Sequence, residues 1–357
     1  MKSLFTTVFL YFIVYSTSAQ IVFGGESVEY DSTGQRFFTS SDNTSIIQRA
    51  SDGTLSYFGN GLMADYGMEI MGNTLFAITG STVRGYDLTT EIQVMSASVP
   101  GSNFLNGLTN DGNGNLYVTG YSSHKIFKID VTNFAMPVVT TIVSNTVTAP
   151  NGIIYDGANN RLIFVNWGTN APIKAVNLST NAVSTITTTT LGNCDGIDDD
   201  NYGNYYVSSW SPARITRFNA AFTGMPVTIT APGINSPADI GYAKAIDTLA
   251  VPNGNNTVTF IGFAPVGIAE KSNLDFNVSL SPNPVTENSH FSFELKATSN
   301  VLLLIYDESG KQIHQLIDEK LSVGKHYVLL SGIDLPKGNY LYRLLVDNES
   351  VSGKFVK

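Results

Sequence analysis

Six stretches of this sequence share one arrangement of apolar, small and turn-forming residues, and that repetition restricts the fold more than any other feature. They begin at Glu26 (ESVEYDSTGQRFFTS), Tyr66 (YGMEIMGNTLFAITG), Asn106 (NGLTNDGNGNLYVTG), Asn151 (NGIIYDGANNRLIFVN), Asp195 (DGIDDDNYGNYYVSSW) and Ala238 (ADIGYAKAIDTLAVPN). Successive spacings are 40, 40, 45, 44 and 43 residues. The copies continue into further alternating segments, SIIQRAS, TVRGYDL, KIFKID, IKAVNL, RITRFN and TVTFIG, so each unit holds about four short strands. Four strands per unit at this period predict an all-β chain whose main body, residues 20–263, is a six-bladed β-propeller. Each blade of such a ring buries its faces only against its neighbours. Closing the ring removes exposed sheet edges, and residues near Ile21 to Phe23 are expected to complete the last blade.

The register sorts the acids of the fifth copy. Asp200 matches Asp31, Asp111 and Asp156, each ending a first strand before a Gly or Asn turn. An aspartate there accepts backbone N–H bonds within the turn, a structural role. Asp198 and Asp199 have no counterparts on this reading and are expected to be solvated, with alternation able to aim Asp199 toward the channel. Asp195 occupies the first position, where the other copies carry Glu26, Tyr66, Asn106, Asn151 and Ala238. Those residues precede the innermost strands and converge on one mouth of the central channel. Two carboxylates and two amide oxygens facing each other suit a hard cation such as calcium, and the alternative is a polar rim without chemistry. Zinc is disfavoured, because His124 is alone in the propeller and Cys194 has no thiolate or imidazole partner. His124 reads as a surface residue and Cys194 as a small buried one.

Charge and composition narrow the function classes. The 29 acidic against 20 basic residues give a net charge of −9 with no basic run, which argues against nucleic-acid partners. The opening MKSLFTTVFLYFIVYSTSAQ, with one Lys, an apolar run and small residues Thr17, Ser18 and Ala19, reads as a signal peptide over residues 1–19. Its apolar segment, Leu4 to Tyr15, is shorter than the roughly 20 residues that span a bilayer, and no membrane span is expected elsewhere. One cysteine cannot form an internal disulfide, which fits an exported bacterial protein better than a eukaryotic one. No GxSxG element or P-loop is present.

The blade openings DGIDDDNYGNYYVSSW and NGIIYDGANNRLIFVN resemble those of the SMP-30/gluconolactonase/LRE-like six-bladed propellers, over roughly Gly25 to Phe263. The resemblance implies a divalent cation, often calcium, held at the mouth by Glu26, Asn151 and Asp195. It further implies that Asp195 is the general base of a lactone or ester hydrolase, and that Asn106 contacts substrate. The sequence departs from that pattern at Phe104, where lactonases carry an arginine, at NGL in place of NDG from Asn106, and at Val165-Asn166 in place of Thr-Asp. The related NHL-type propellers share the strand pattern and mostly act as binding scaffolds, so a non-catalytic scaffold at the cell surface is the alternative function.

After a linker at residues 264–273 the composition shifts to alternating strands with Lys and Glu, predicting a small antiparallel β-sandwich over 274–357. SPNPV at Ser281 to Val285, LLIYDESGKQI at Leu303 to Ile313, LPKGNYLYRL at Leu335 to Leu344 and the final GKFVK make this tail resemble the type A C-terminal sorting domain of the type IX secretion system of Bacteroidota. That resemblance implies the outer-membrane translocon and its sortase as partners. It places the protein outside the cell, released or anchored at the surface. His290, His314 and His326 are spread over different segments of the tail and form no catalytic set.

Overall fold

The computed structural model of the protein describes residues 15–16, 25–41, 45–263, 278–307, 312–330, 335–347 and 349–357. The chain divides into two compact units, Met1–Ala264 and Pro265–Lys357. The fold is all-β, and among the described residues the single helical turn is the 3-10 segment Gly157–Asn159.

Six four-stranded antiparallel sheets make up the first unit. Their innermost strands are Val28–Asp31, Met68–Met71, Leu105–Asn110, Ala149–Asp156, Gly192–Asp199 and Gly241–Ala243. Second strands such as Arg161–Trp167 are sandwiched between two neighbouring blades. Their apolar residues therefore run consecutively instead of alternating, with Leu162, Ile163, Phe164 and Val165 all fully buried.

Six apolar layers fill the six blade interfaces. Phe38, Phe58, Met68 and Leu75 join blades one and two, and Phe76, Leu105 and Phe127 join two and three. Tyr117 and Phe164 link three to four, Ile163 and Val207 four to five, and Ile215 and Leu249 five to six. The ring closes where Val28 and Phe37 of blade one meet Ala250 and Phe260 of blade six, with the Phe37 and Phe260 rings 4.9 Å apart. Each fully buried large side chain contributes about 1.5–3 kcal/mol through removal of apolar surface from water, so the ring is held by side-chain packing at every interface.

The closing strand is not the expected one. The fourth strand of the last sheet is Tyr15–Ser16, with Tyr15 opposite Ile261 and Ser16 opposite Phe260. It falls inside the segment read as a signal peptide, and its pairing satisfies the otherwise open edge of Thr257–Gly262. Ile21 to Phe23 lie outside the described residues, as do most of the expected signal peptide and the whole of the expected linker.

The turn aspartates act as the register predicts. Asp200 accepts the N–H groups of Tyr202 and Asn204 at 2.8 Å each, the Asn204 side-chain amide at 2.7 Å and the Tyr206 hydroxyl at 3.2 Å. Asp31 likewise accepts from Thr33, Gly34 and the Arg36 guanidinium. His124 is exposed and Cys194 fully buried.

The second unit consists of a three-stranded sheet, Val278–Ser281, His290–Leu295 and Gly324–Leu329, and a four-stranded one. The latter is ordered Gln312–Leu321, Ser299–Tyr306, Asn339–Val346, Glu349–Val356. Alternate residues point inward, and Phe291, Leu303, Ile305, Leu344 and Phe355 form its core. No helix among the described residues is long and apolar enough to cross a membrane.

Candidate functional site at the channel mouth

The mouth is built by a bulge repeated in three blades. Leu105 and Leu108 pair with Gly120 and Val118, Pro150 and Ile153 with Asn166 and Phe164, and Cys194 and Ile197 with Ser209 and Val207. One extra residue therefore enters each innermost strand, at the Asn106-Gly107, Asn151-Gly152 and Asp195-Gly196 steps. A bulge re-aims side chains, so that residues three apart rather than two share a face.

The glycine of each step allows the next blade to approach. A Cβ at Gly107 would stand 2.5 Å from the Asn151 carbonyl oxygen, and one at Gly152 would stand 2.6 Å from that of Asp195. Hydroxyls in the second strands tie these backbones together. Thr119 accepts the Gly107 N–H and donates to the Asn151 carbonyl, both at 2.8 Å. Ser208 does the same between Gly196 and Ala238 at 2.7 Å. At the seam between blades six and one the glycine is replaced on both sides. Ser27 donates to the Asp239 carboxylate at 3.2 Å and accepts the Met68 N–H at 3.1 Å.

Asn106, Asn151 and Asp195 are 3%, 2% and 1% exposed, so water reaches them too little to satisfy their polar atoms. The Asn151 amide donates to the Asp195 carboxylate at 3.0 Å. The Oδ1 atoms of Asn106 and Asn151 have no hydrogen-bond partner. Burial pushes the Asp195 carboxyl up to about 7, against the opposing effect of Trp210 and Asn151. Glu26 begins blade one at the same register and is partly exposed. Among the described residues no three His, Cys, Asp or Glu side chains converge as a metal-binding group.

A second ring of acids lies three residues further along the innermost strands, at Glu29, Glu69 and Asp198, with Asp239 beside it. Burial raises Glu29 well above the usual carboxylate range, and repulsion from Glu69, Asp198 and Asp239 adds to it. Glu69 is raised by burial and by Asp198, although the Asn110 amide donates to it at 2.6 Å. Asp239 is raised by burial and by Asp195. Asp198 is pushed up to about 7 by burial and by Asp199. The expectation that Asp198 and Asp199 are solvated is therefore corrected. Asp198 accepts the Tyr242 N–H, and Asp199 pairs with the Lys244 ammonium at 2.7 Å. Asp198 does have counterparts, in Glu29 and Glu69. The sequence signal is simply the same offset from each mouth residue.

Residues 279–357 match the secretion system C-terminal sorting domain, and residues 102–128 match a β-propeller repeat. The chain is a β-propeller followed by a type IX secretion sorting tail. The tail marks the protein for export to the cell surface or beyond. Its propeller is similar in fold to a Bacteroides thetaiotaomicron protein of unknown function, at 10% identity and TM-score 0.57 over 70% of this chain and 72% of that one. It is also similar to luciferin-regenerating enzyme, at 13% identity and TM-score 0.54 over 70% and 95% of the two chains. Regucalcin from Agrobacterium tumefaciens, a calcium-binding protein, is similar at 14% identity and TM-score 0.53 over 69% and 93%. At these identities the likeness concerns the fold. No curated protein matches the sequence.

Proposed function

We propose that the exported propeller binds a small carbonyl ligand at its channel mouth with the help of a divalent cation, calcium being the best fit, and hydrolyses a lactone or ester there. The observation that carries this reading is the pair of buried amide oxygens, on Asn106 and Asn151, left without partners beside Asp195. A buried acceptor without a donor costs about 1–3 kcal/mol, and a hard cation is satisfied by oxygen ligands of this kind. Glu26, Asn151 and Asp195 would hold it, and Asn106 would face the ligand. The bound cation would supply polarisation of the ligand's carbonyl. Without a cation burial pushes Asp195 up to about 7, and a bound cation would favour its ionised form, the state a general base requires. The calcium-binding neighbour of the same fold supports the choice of metal.

Phe104 favours a second reading, a binding scaffold without turnover, because an apolar ring stands where lactonases of the resembled family carry an arginine. Thermal melts of the full chain with calcium and with chelator test the cation. Wild type is expected to gain stability with millimolar calcium, and Asp195→Asn to gain none. A wild type indifferent to calcium would refute the metal site. A lactone and ester screen then separates the two readings.

For export, the proposed route is removal of residues 1–19 after Ala19, which takes the Tyr15–Ser16 strand away and leaves the last sheet of the mature ring with three of its four strands, then passage through the type IX translocon with its sortase acting on the tail. Deleting 274–357 is expected to leave the propeller in the periplasm. Recovery of the truncated protein in the medium or at the surface at normal levels would overturn that assignment.

A further inference from the structure

Five aromatic side chains touch one another in an unbroken arc beside the mouth. Ring centroids are 4.7 Å apart for Tyr66 and Phe104, 4.9 Å for Phe104 and Tyr121, 6.4 Å for Tyr121 and Trp167, and 5.0 Å for Trp167 and Trp210. The rings are tilted or edge-on at 46–73°, so they stand as a wall rather than a stack. Blades two to five supply them. Tyr66 holds the mouth position of its blade, Phe104 lies two residues before Asn106, and Trp167 and Trp210 lie in second strands running toward the mouth.

The arc borders the buried polar floor. Asp195 raises the Tyr121 hydroxyl electrostatically, after burial, and Trp210 in turn eases the ionisation of Asp195. Aromatic residues that serve only packing, such as Phe76, Phe127 and Phe164, are fully buried here. The arc residues are all partly exposed, and Trp210 is 40% exposed. The Trp210 indole N–H already donates to the Pro237 carbonyl at 3.1 Å. Trp210 and Phe104 thus offer π-surface and no hydrogen bond. The floor offers the opposite, the acceptors Asn106 Oδ1 and Asn151 Oδ1 and the Asp195 carboxyl.

We infer that the arc is the apolar subsite of the mouth, and that the ligand carries an aromatic ring against it and a hydroxylated head whose O–H groups donate to Asn106 Oδ1, Asn151 Oδ1 and the Asp195 carboxyl. This rests on the reading of the mouth as a small-ligand site and is independent of the cation. A head that carries only acceptors would leave those floor oxygens without a donor. A phenyl ring places its edge and face where the tilted rings expect them.

The chain has two tryptophans and both are in the arc, so intrinsic tryptophan fluorescence reports on this site alone. Full-length protein is titrated with phenylethylene glycol, ethylene glycol and glucono-δ-lactone, each in calcium and in chelator. The phenyl diol is expected to change the emission saturably, with a Kd at least tenfold below that of the unsubstituted diol. Phe104→Ala should erase about tenfold of that preference. Equal affinity for the two diols, tighter binding of the sugar lactone, or no saturable response to the phenyl diol overturns the inference. Those comparisons use wild type and stand whether or not the variant folds. A phenyl preference that persists in chelator, without calcium stabilisation, supports the arc while refuting the cation.

Discussion

Replacing Asp198 with asparagine should make this protein more stable at neutral and alkaline pH, although it removes a carboxylate that accepts a backbone N–H. Asp198 shares the lower ring with Glu29, Glu69 and Asp239, and burial together with Asp199 raises it from the ordinary 3.8 to about 7. A folded-state value above the unfolded one means that the folded chain holds its proton more tightly. The associated stability is complete below about pH 4 and is lost as pH rises through about 7. Raising one carboxyl this far corresponds to an upper bound of about 4 kcal/mol for this group at pH 8. The neighbouring acids share the same repulsion, so roughly half of that, about 2 kcal/mol, is expected from one substitution. Asparagine keeps an oxygen for the Tyr242 N–H and leaves the Lys244–Asp199 pair intact. For a unit of this size about 2 kcal/mol is a rise in Tm of roughly 4–8 °C. Melting curves of Asp198→Asn and wild type from pH 4 to 8 should coincide at the acid end and diverge through pH 5 to 7. A variant that melts at or below wild type at pH 8 would show that the ring is not under electrostatic stress.

Asp200→Ala should cost about 1–3 kcal/mol, because four donors of the turn lose one buried acceptor. Chemical denaturation should show it, with the calcium response of the mouth unchanged. Gly152→Ala should cost about 1–3 kcal/mol by driving a Cβ into the backbone of Asp195 and Gly196, and should also weaken mouth ligands by displacing Asp195. Melting and ligand titration of the same sample check both halves.

The number of blades and the job of the turn aspartates were legible because each depends on local patterning repeated six or four times. The lower acid ring was not, although its members sit at a fixed offset in the copies. Alternation assigns faces with period two, so an offset of three reads as the face opposite the mouth residues, and in the fifth blade the bulge at Asp195 restores the shared face. The aromatic arc escaped for another reason. Tyr66, Phe104, Tyr121, Trp167 and Trp210 occupy several different places in the repeat, and only the curvature of the ring brings them into line. Closure by Tyr15–Ser16 depends on which segment reaches an open edge, something periodicity does not encode.

The glycines that let one blade lean on the next also separate two kinds of information within a single dipeptide. Gly67, Gly107, Gly152 and Gly196 have a neighbouring backbone where a side chain would begin, so architecture dictates them. The residue immediately before these four is Tyr, Asn, Asn and Asp, and Glu26 and Ala238 hold the equivalent positions where Ser27 and Asp239 replace the glycine. Positions 26, 66, 106, 151, 195 and 238 therefore behave like six sockets on a fixed frame. A library randomised at 26 and 66, the two partly exposed sockets, should return folded rings with new ligand preferences, whereas the buried positions 106, 151, 195 and 238 should accept only side chains of similar volume.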